Sequence, residues 1–187
     1  VLSNQRTNLS DFFKETVAVV TNPAIDRGRE QEVFSTRTLI GARPACDSLP
    51  DSTDTLVVVD LPIIAGGISR QYSPLISMNV ARACGTPTLD ELLMTFGEKA
   101  ERLIMGVQPG ESVAAAVNRL AHAALNAVRS GTQCLLLDDH GSLDWLDPLL
   151  VTAAVDRILR KTDGLRRNSG IVVRAAGIRN LHDIMVI

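Results

Sequence analysis

Gly131-Thr132-Gln133-Cys134-Leu135-Leu136-Leu137-Asp138-Asp139-His140-Gly141 is the stretch on which the fold turns. Gly131 stops a helix, residues 133–137 form a run of strand length, and Asp138 to Gly141 make a polar turn. Upstream, residues 112–129 place Val113, Ala116, Val117, Leu120, Ala124 and Val128 at a 3.6-residue period, the mark of a helix with one apolar face. Ahead of that helix, residues 103–107 read as another strand. Downstream, Asp147-Pro148 opens a helix through Leu159, residues 164–168 are a basic turn, residues 171–174 a strand, and a helix follows from Ile178. Strands alternating with helices at this spacing require parallel pairing through crossovers, which are right-handed almost without exception.

Outward from this region the pattern is less regular. Residues 9–20 read as a helix capped by Ser10, with Asp11 at the positive end of its dipole. Pro23 biases Asn22 away from helical geometry, and residues 29–40 read as a second helix stopped by Gly41. Residues 42–54 are a loop. The β-branched run at residues 56–59 predicts a strand buried on both faces. A helix over residues 75–84 has Pro74 in its first turn, and Thr88-Leu89-Asp90-Glu91 is a capping box for a short helix to Phe96. The expected class is α/β: a mainly parallel sheet with crossover helices, an incomplete βα-barrel-like or Rossmann-like single domain over residues 1–187. Residues 1–41 form its N-terminal helical and loop segment.

Composition narrows the function. In 187 residues the chain holds one good-sized core. A net charge of -2 gives no basic face for a nucleic-acid backbone, and 3% aromatics supply few stacking platforms. No apolar run reaches the ~20 residues of a membrane helix. Cys46, Cys84 and Cys134 are widely spaced and odd in number, which fits reduced thiols in a cytoplasmic protein. Beginning at Val1 and ending on Ile184-Met185-Val186-Ile187, the chain is expected to be a piece of a larger enzyme. Self-association of such a piece through exposed apolar faces, as a homo-oligomer, stays open.

Two groups of residues invite a chemical reading. Asp138, Asp139 and His140 follow a parallel strand at the edge where α/β folds place ligands. Two carboxylates and an imidazole suit acid–base work, and His182 could meet the same edge. Consecutive side chains diverge, however, and a helix-capping loop is the plainer reading. Arg157, Arg160, Lys161, Arg166 and Arg167 surround the basic turn, either as a solvated helix end or as an anion site. Gly66-Gly67 and residues 106–110 lack the spacing of phosphate loops.

The segment Val17-Ala18-Val19-Val20-Thr21-Asn22-Pro23-Ala24-Ile25-Asp26-Arg27-Gly28-Arg29-Glu30 closely resembles the signature that opens the central domain of glutamate synthase large subunits. Residues 131–141 are similar to that family's strand ending in Leu-Ser-Asp-Arg. Residues 145–183 are similar to its next helix, its Gly-Leu-Arg turn and its last strand. The chain departs from the pattern at Asp138-Asp139-His140, where Ser-Asp-Arg is usual. It departs again at Arg174-Ala175-Ala176-Gly177, where an acidic residue and Thr-Gly-Glu are usual.

The resemblance implies a scaffold that separates two catalytic domains of one polypeptide and supports the wall of an ammonia channel. The parent enzyme would convert glutamine and 2-oxoglutarate to two glutamates. An amidotransferase domain would release ammonia, and an FMN and iron–sulfur synthase domain would fix it. Those neighbours are the implied partners. No catalytic residue, cofactor or metal is expected in this chain itself. Thr21, Asn22, Pro23, Asp26, Arg29 and Glu30 are the interdomain or channel candidates. The alternatives are a divergent α/β enzyme with an acid–base site at Asp138, Asp139 and His140, or a small-anion-binding module.

Overall fold

The computed structural model describes residues 7–13, 36–44, 54–65, 74–140, 142 and 144–187. They fall into two compact units, one drawn from Val1–Phe13, Ile40–Leu56 and Phe96–Ile187, the other from Lys14–Leu39 and Val57–Thr95.

The larger unit is built on a parallel sheet of three strands, β3 (Ala100–Ile104), β4 (Cys134–Asp138) and β5 (Gly170–Arg174), in that order and with no barrel closure. Helix α3 (Val113–Arg129) carries the chain from β3 to β4, and α4 (Pro148–Lys161) from β4 to β5. Two successive right-handed crossovers in one direction put both helices on one face of the sheet, and they pack against each other there. The stripes that meet are Leu120, Ala124 and Val128 on α3 and Val151, Val155 and Leu159 on α4. In each set the residues recur every four positions and so share a helix face. Leu135 and Leu137 of β4 complete this core, while Cys134, Leu136 and Asp138 alternate to the opposite face and are buried too.

Local chemistry sets the helix starts. The Ser112 hydroxyl accepts from the Ala115 N–H at 3.2 Å, and the Asp147 carboxylate accepts from the Leu149 N–H at 2.9 Å with Pro148 in the first turn. In α2 (Leu89–Phe96), the Glu91 carboxylate accepts from the Thr88 N–H at 2.8 Å and Thr88 Oγ1 from the Glu91 N–H at 3.2 Å, so the expected capping box forms. Helix α1 is Pro74–Ala83 and α5 is Leu181–Val186. The last helix starts three residues later than expected because Asn180 takes the cap, accepting from the Asp183 N–H at 3.0 Å.

Several expectations fail for identifiable reasons. The strand expected at residues 103–107 lies at Ala100–Ile104. As an edge strand it tolerates Glu101 and Arg102, which hid it. After it the Met105 N–H makes a last bond to β4, donating to the Asp138 carbonyl at 2.7 Å, and Gly106 pairs with Trp145. In place of the helix over residues 9–20 there is one 3-10 turn, Leu9–Phe12, followed by extended Phe13; residues 14–20 lie outside the described residues. The helix expected over residues 29–40 gives way to β1, Thr38–Gly41, with residues 29–35 also outside the described set. Thr36, Thr38 and Ile40 are β-branched and favour the extended chain. Strand β2 (Leu56–Val59) forms where expected, but it pairs with β1 in a separate two-stranded sheet, and only Val59 is buried.

Two glycines allow backbone to approach backbone. A methyl group on Gly41, whose φ is +120°, would lie 2.1 Å from the Thr55 carbonyl oxygen; one on Gly170 would lie 2.7 Å from the Gly41 nitrogen. In the smaller unit, Thr36 Oγ1 donates to the Asp60 carbonyl at 2.7 Å and Ala65 bridges Thr88.

Candidate functional site

The C-terminal edge of the sheet gathers three charged residues. The ladder aligns Ile104, Asp138 and Arg174 across β3, β4 and β5. Arg102, one pleat back on the same face of β3, also reaches the Asp138 carboxylate. Asp138 is fully buried. Its Oδ2 accepts from Arg102 Nε at 2.6 Å, and its Oδ1 accepts from Arg174 Nε and from the His140 N–H at 2.8 and 2.9 Å. Arg174 NH2 closes a second contact on Oδ2. Burial pushes the Asp138 carboxyl up. The Arg174 guanidinium, the His140 N–H and Arg102 outweigh that and hold it below the ordinary value of 3.8. A carboxylate so loaded stays ionised, and its acceptor positions are filled by protein donors.

Asp139 and His140 turn away from it. Asp139 accepts from the Ala176 N–H at 2.8 Å and its own N–H donates to the Arg174 carbonyl at 3.1 Å, fixing the turn after β4 to the turn after β5. The His140 side chain is exposed, and its backbone carbonyl accepts from Arg102 NH2 at 3.3 Å. His182 belongs to another group of residues, with Nε2 2.9 Å from the Ser10 carbonyl. Among the described residues no hydrogen bond joins His182 to Asp138, Asp139 or His140. The strand edge is thus an ion-paired lock on three strand ends.

Of the group around His182, the sequence marked Ser10 and Asp11 only as a helix start and gave no sign that they meet the last helix. Asp183 is buried; its carboxylate accepts from the Ser10 hydroxyl, from the Arg179 N–H at 2.9 Å and from Arg179 Nε at 3.1 Å. Arg179 also pairs with Asp11, and Asn8 Nδ2 donates to the Gly177 carbonyl. The Arg179 side chain, the Ser10 hydroxyl and the Arg179 N–H hold the Asp183 carboxyl far below its usual range against the opposing effect of burial. This network ties the Leu9–Phe12 turn to α5. Its members lie some 170 positions apart in the chain, so spacing could not reveal it.

Thr21, Asn22, Pro23, Asp26, Arg29 and Glu30 lie outside the described residues. Among the described residues, no three His, Cys, Asp or Glu side chains stand together as a metal site would need, and no helix is long and apolar enough to cross a membrane. An iron–sulfur cluster does not fit what is described. Cys134 is buried within β4 with its thiol pushed up to about 12 by burial, the reverse of a ligating thiolate.

A family model described as the glutamate synthase central domain matches residues 1–187. Similar proteins include the ferredoxin-dependent glutamate synthase of Cyanidium caldarium, 27% identical over 97% of this chain and 11% of its own length. The glutamate synthase [NADPH] large chain of Bacillus subtilis is 30% identical over 97% of this chain and 11% of its length. The chloroplastic ferredoxin-dependent glutamate synthase 2 of Arabidopsis thaliana is 31% identical over 97% and 10%. The chain therefore spans about a tenth of the length of these relatives.

Proposed function

This chain belongs to the glutamate synthase central-domain family, and from that premise we propose that it is the spacer of a larger enzyme that makes two glutamates from glutamine and 2-oxoglutarate. It holds an amidotransferase domain and an FMN and iron–sulfur synthase domain in register and helps keep the ammonia that passes between them away from water. Its own residues contribute packing and position. The flavin and the cluster, bound by the neighbouring domain, supply the electron transfer. Thr21, Asn22, Pro23, Asp26, Arg29 and Glu30 are the residues assigned to the interdomain or channel surface, and a cytoplasmic setting belongs to the same reading.

The observation that carries this reading is an exposed apolar face. The Leu9–Phe12 turn and α5 pack against each other, yet Phe12, Leu181 and Met185 remain 73%, 69% and 77% exposed. Large apolar side chains left exposed on two elements that pack together mark a contact with another structure. Relatives roughly ten times longer provide one in the same polypeptide. A dry wall also suits the task, since ammonia that meets water and takes up a proton is no longer a nucleophile.

The test uses the full-length polypeptide with Phe12, Leu181 and Met185 replaced by serine. Glutamine labelled with ¹⁵N in its amide is supplied alongside unlabelled ammonium. The intact enzyme should retain the label in its product glutamate, whereas the variant should release labelled ammonia and dilute the product. Unchanged retention in the variant, or turnover and FMN binding by this chain alone, would overturn the proposal.

A further inference from the structure

Four arginines from three segments converge beside the last turn of α4. Arg160 and Arg166 both bind Asp156, Arg160 Nε at 2.6 Å from Oδ2 and Arg166 Nε at 2.7 Å from Oδ1. Arg166 NH1 also donates to the carbonyl of the fully buried Ser169 at 2.8 Å. Arg167 NH2 donates to the Pro44 carbonyl, and the Arg43 N–H donates to the Arg167 carbonyl at 2.8 Å. The loop after β1 and the 3-10 turn Leu165–Arg167 are thereby latched together, bringing Arg43 to the group. Burial and the charges of Arg166, Arg167 and Arg160 depress the Arg43 guanidinium below its ordinary value. Asp156 opposes them.

Charge is out of balance here. Among the described residues, these four guanidinium groups are set against the one carboxylate of Asp156, in a chain whose formal net charge is -2. The arrangement is held by fixed oxygens: three of the four guanidiniums are anchored to Asp156, Ser169 or Pro44, so little ordering remains to be done on binding. Arg160 uses only its Nε in the pairing with Asp156, which leaves its terminal nitrogens for another acceptor. Guanidinium forks match the oxygens of carboxylate and phosphate groups.

We propose that Arg43, Arg160, Arg166 and Arg167 form a receptor for a compact oxyanion of at least two negative charges, a diphosphate or a polycarboxylate. Asp156 preorganises two of the guanidiniums, and the incoming anion balances the remaining charge. Three of the four lie outside α4, in the turn that follows it and in the loop after β1, so the charge is grouped about that turn rather than strung along a helix, which favours a small anion over an extended acidic surface. This site is independent of the spacer role: it concerns α4 and the following turn, and neither result decides the other.

Calorimetric titration of the full chain with inorganic pyrophosphate and, separately, with citrate tests it, with potassium chloride matching ionic strength. Saturable one-site binding of either supports the site, and the better ligand identifies the source. Arg43→Gln and Arg167→Gln should each weaken binding about tenfold, the loss expected for one charged hydrogen-bonding partner. Arg129→Gln, at the end of α3, should change nothing, and circular dichroism checks that each variant is folded. Heats no larger than the salt blank, or affinity unchanged in the Arg43→Gln/Arg167→Gln double variant, would overturn the proposal. So would binding of poly-glutamate with no response to either small anion, which would mark an acidic protein surface instead.

Discussion

Asp138 and Arg174 stand opposite each other across the β4–β5 ladder, and the guanidinium closes on the buried carboxylate through both Nε and NH2. The two side chains meet in space and neutralise each other's charge. This pairing sets the first expectation.

A double-mutant cycle on Asp138→Asn and Arg174→Gln measures the lock. Each single change leaves a desolvated partner short of a hydrogen bond and should destabilise the chain by ~1–3 kcal/mol. The coupling between them should be positive and on the order of 1 kcal/mol, because Arg102 continues to hold part of the charge. Urea unfolding of the four species reads it directly; additive effects would mean that the pair contributes nothing as a pair.

Acid should unfold the chain over a defined range. Asp138, Asp156 and Asp183 all titrate below 3.8 when folded. A depressed folded value means that stability is fully present above the unfolded value and is lost as pH falls toward the folded one. The melting temperature should therefore be level with respect to these groups above about pH 5 and drop steeply below 3.8. Asp183→Asn should flatten the lower part of that drop in a pH series of thermal melts.

The Cys134 thiol gives the opposite limb. Its folded value is raised to about 12 from 9.0. Its contribution is thus fully present below pH 9.0 and lost as pH rises toward 12. With Cys46 and Cys84 replaced by serine, a thiol reagent at pH 8 should label the folded chain far more slowly than the chain in urea. Equal rates would place Cys134 at the surface.

Gly170→Ala should be destabilising although alanine is small. Its Cβ would meet backbone, the Gly41 nitrogen at 2.7 Å and Ile40 Cα at 3.2 Å, and backbone cannot rotate aside. The cost expected for overpacking is ~1–3 kcal/mol. Gly131→Ala, with nothing within 4 Å but φ at +103°, carries only the conformational penalty and should cost less in the same melts.

The core of the fold was legible where burial on both faces or a full helix period writes itself into consecutive residues. The run at Cys134–Asp138, the 3.6-residue stripe of α3 and the Asp147-Pro148 start are such cases. It was not legible at β3, where an edge strand of Ala-Glu-Arg carries no apolar alternation, or at β1, where a short β-branched segment reads equally well as a helix end. At the candidate site, Asp138, Asp139 and His140 were located by their position after a strand. Whether a carboxylate there is a base or a strut depends on its neighbours, and Arg102 and Arg174 stand 36 positions away on either side.

By itself the sequence determined the α/β alternation around residues 100–187 and the family, because periodicity and contiguous motifs are properties of neighbouring positions. The tertiary structure alone decided that Asp138 is consumed by two arginines, that Asp183 binds the Leu9–Phe12 turn to α5, and that Arg160 and Arg166 share Asp156. Hydrogen bonds and charges act over a few ångströms of space, and folding brings within that distance residues whose separation along the chain carries no trace of it.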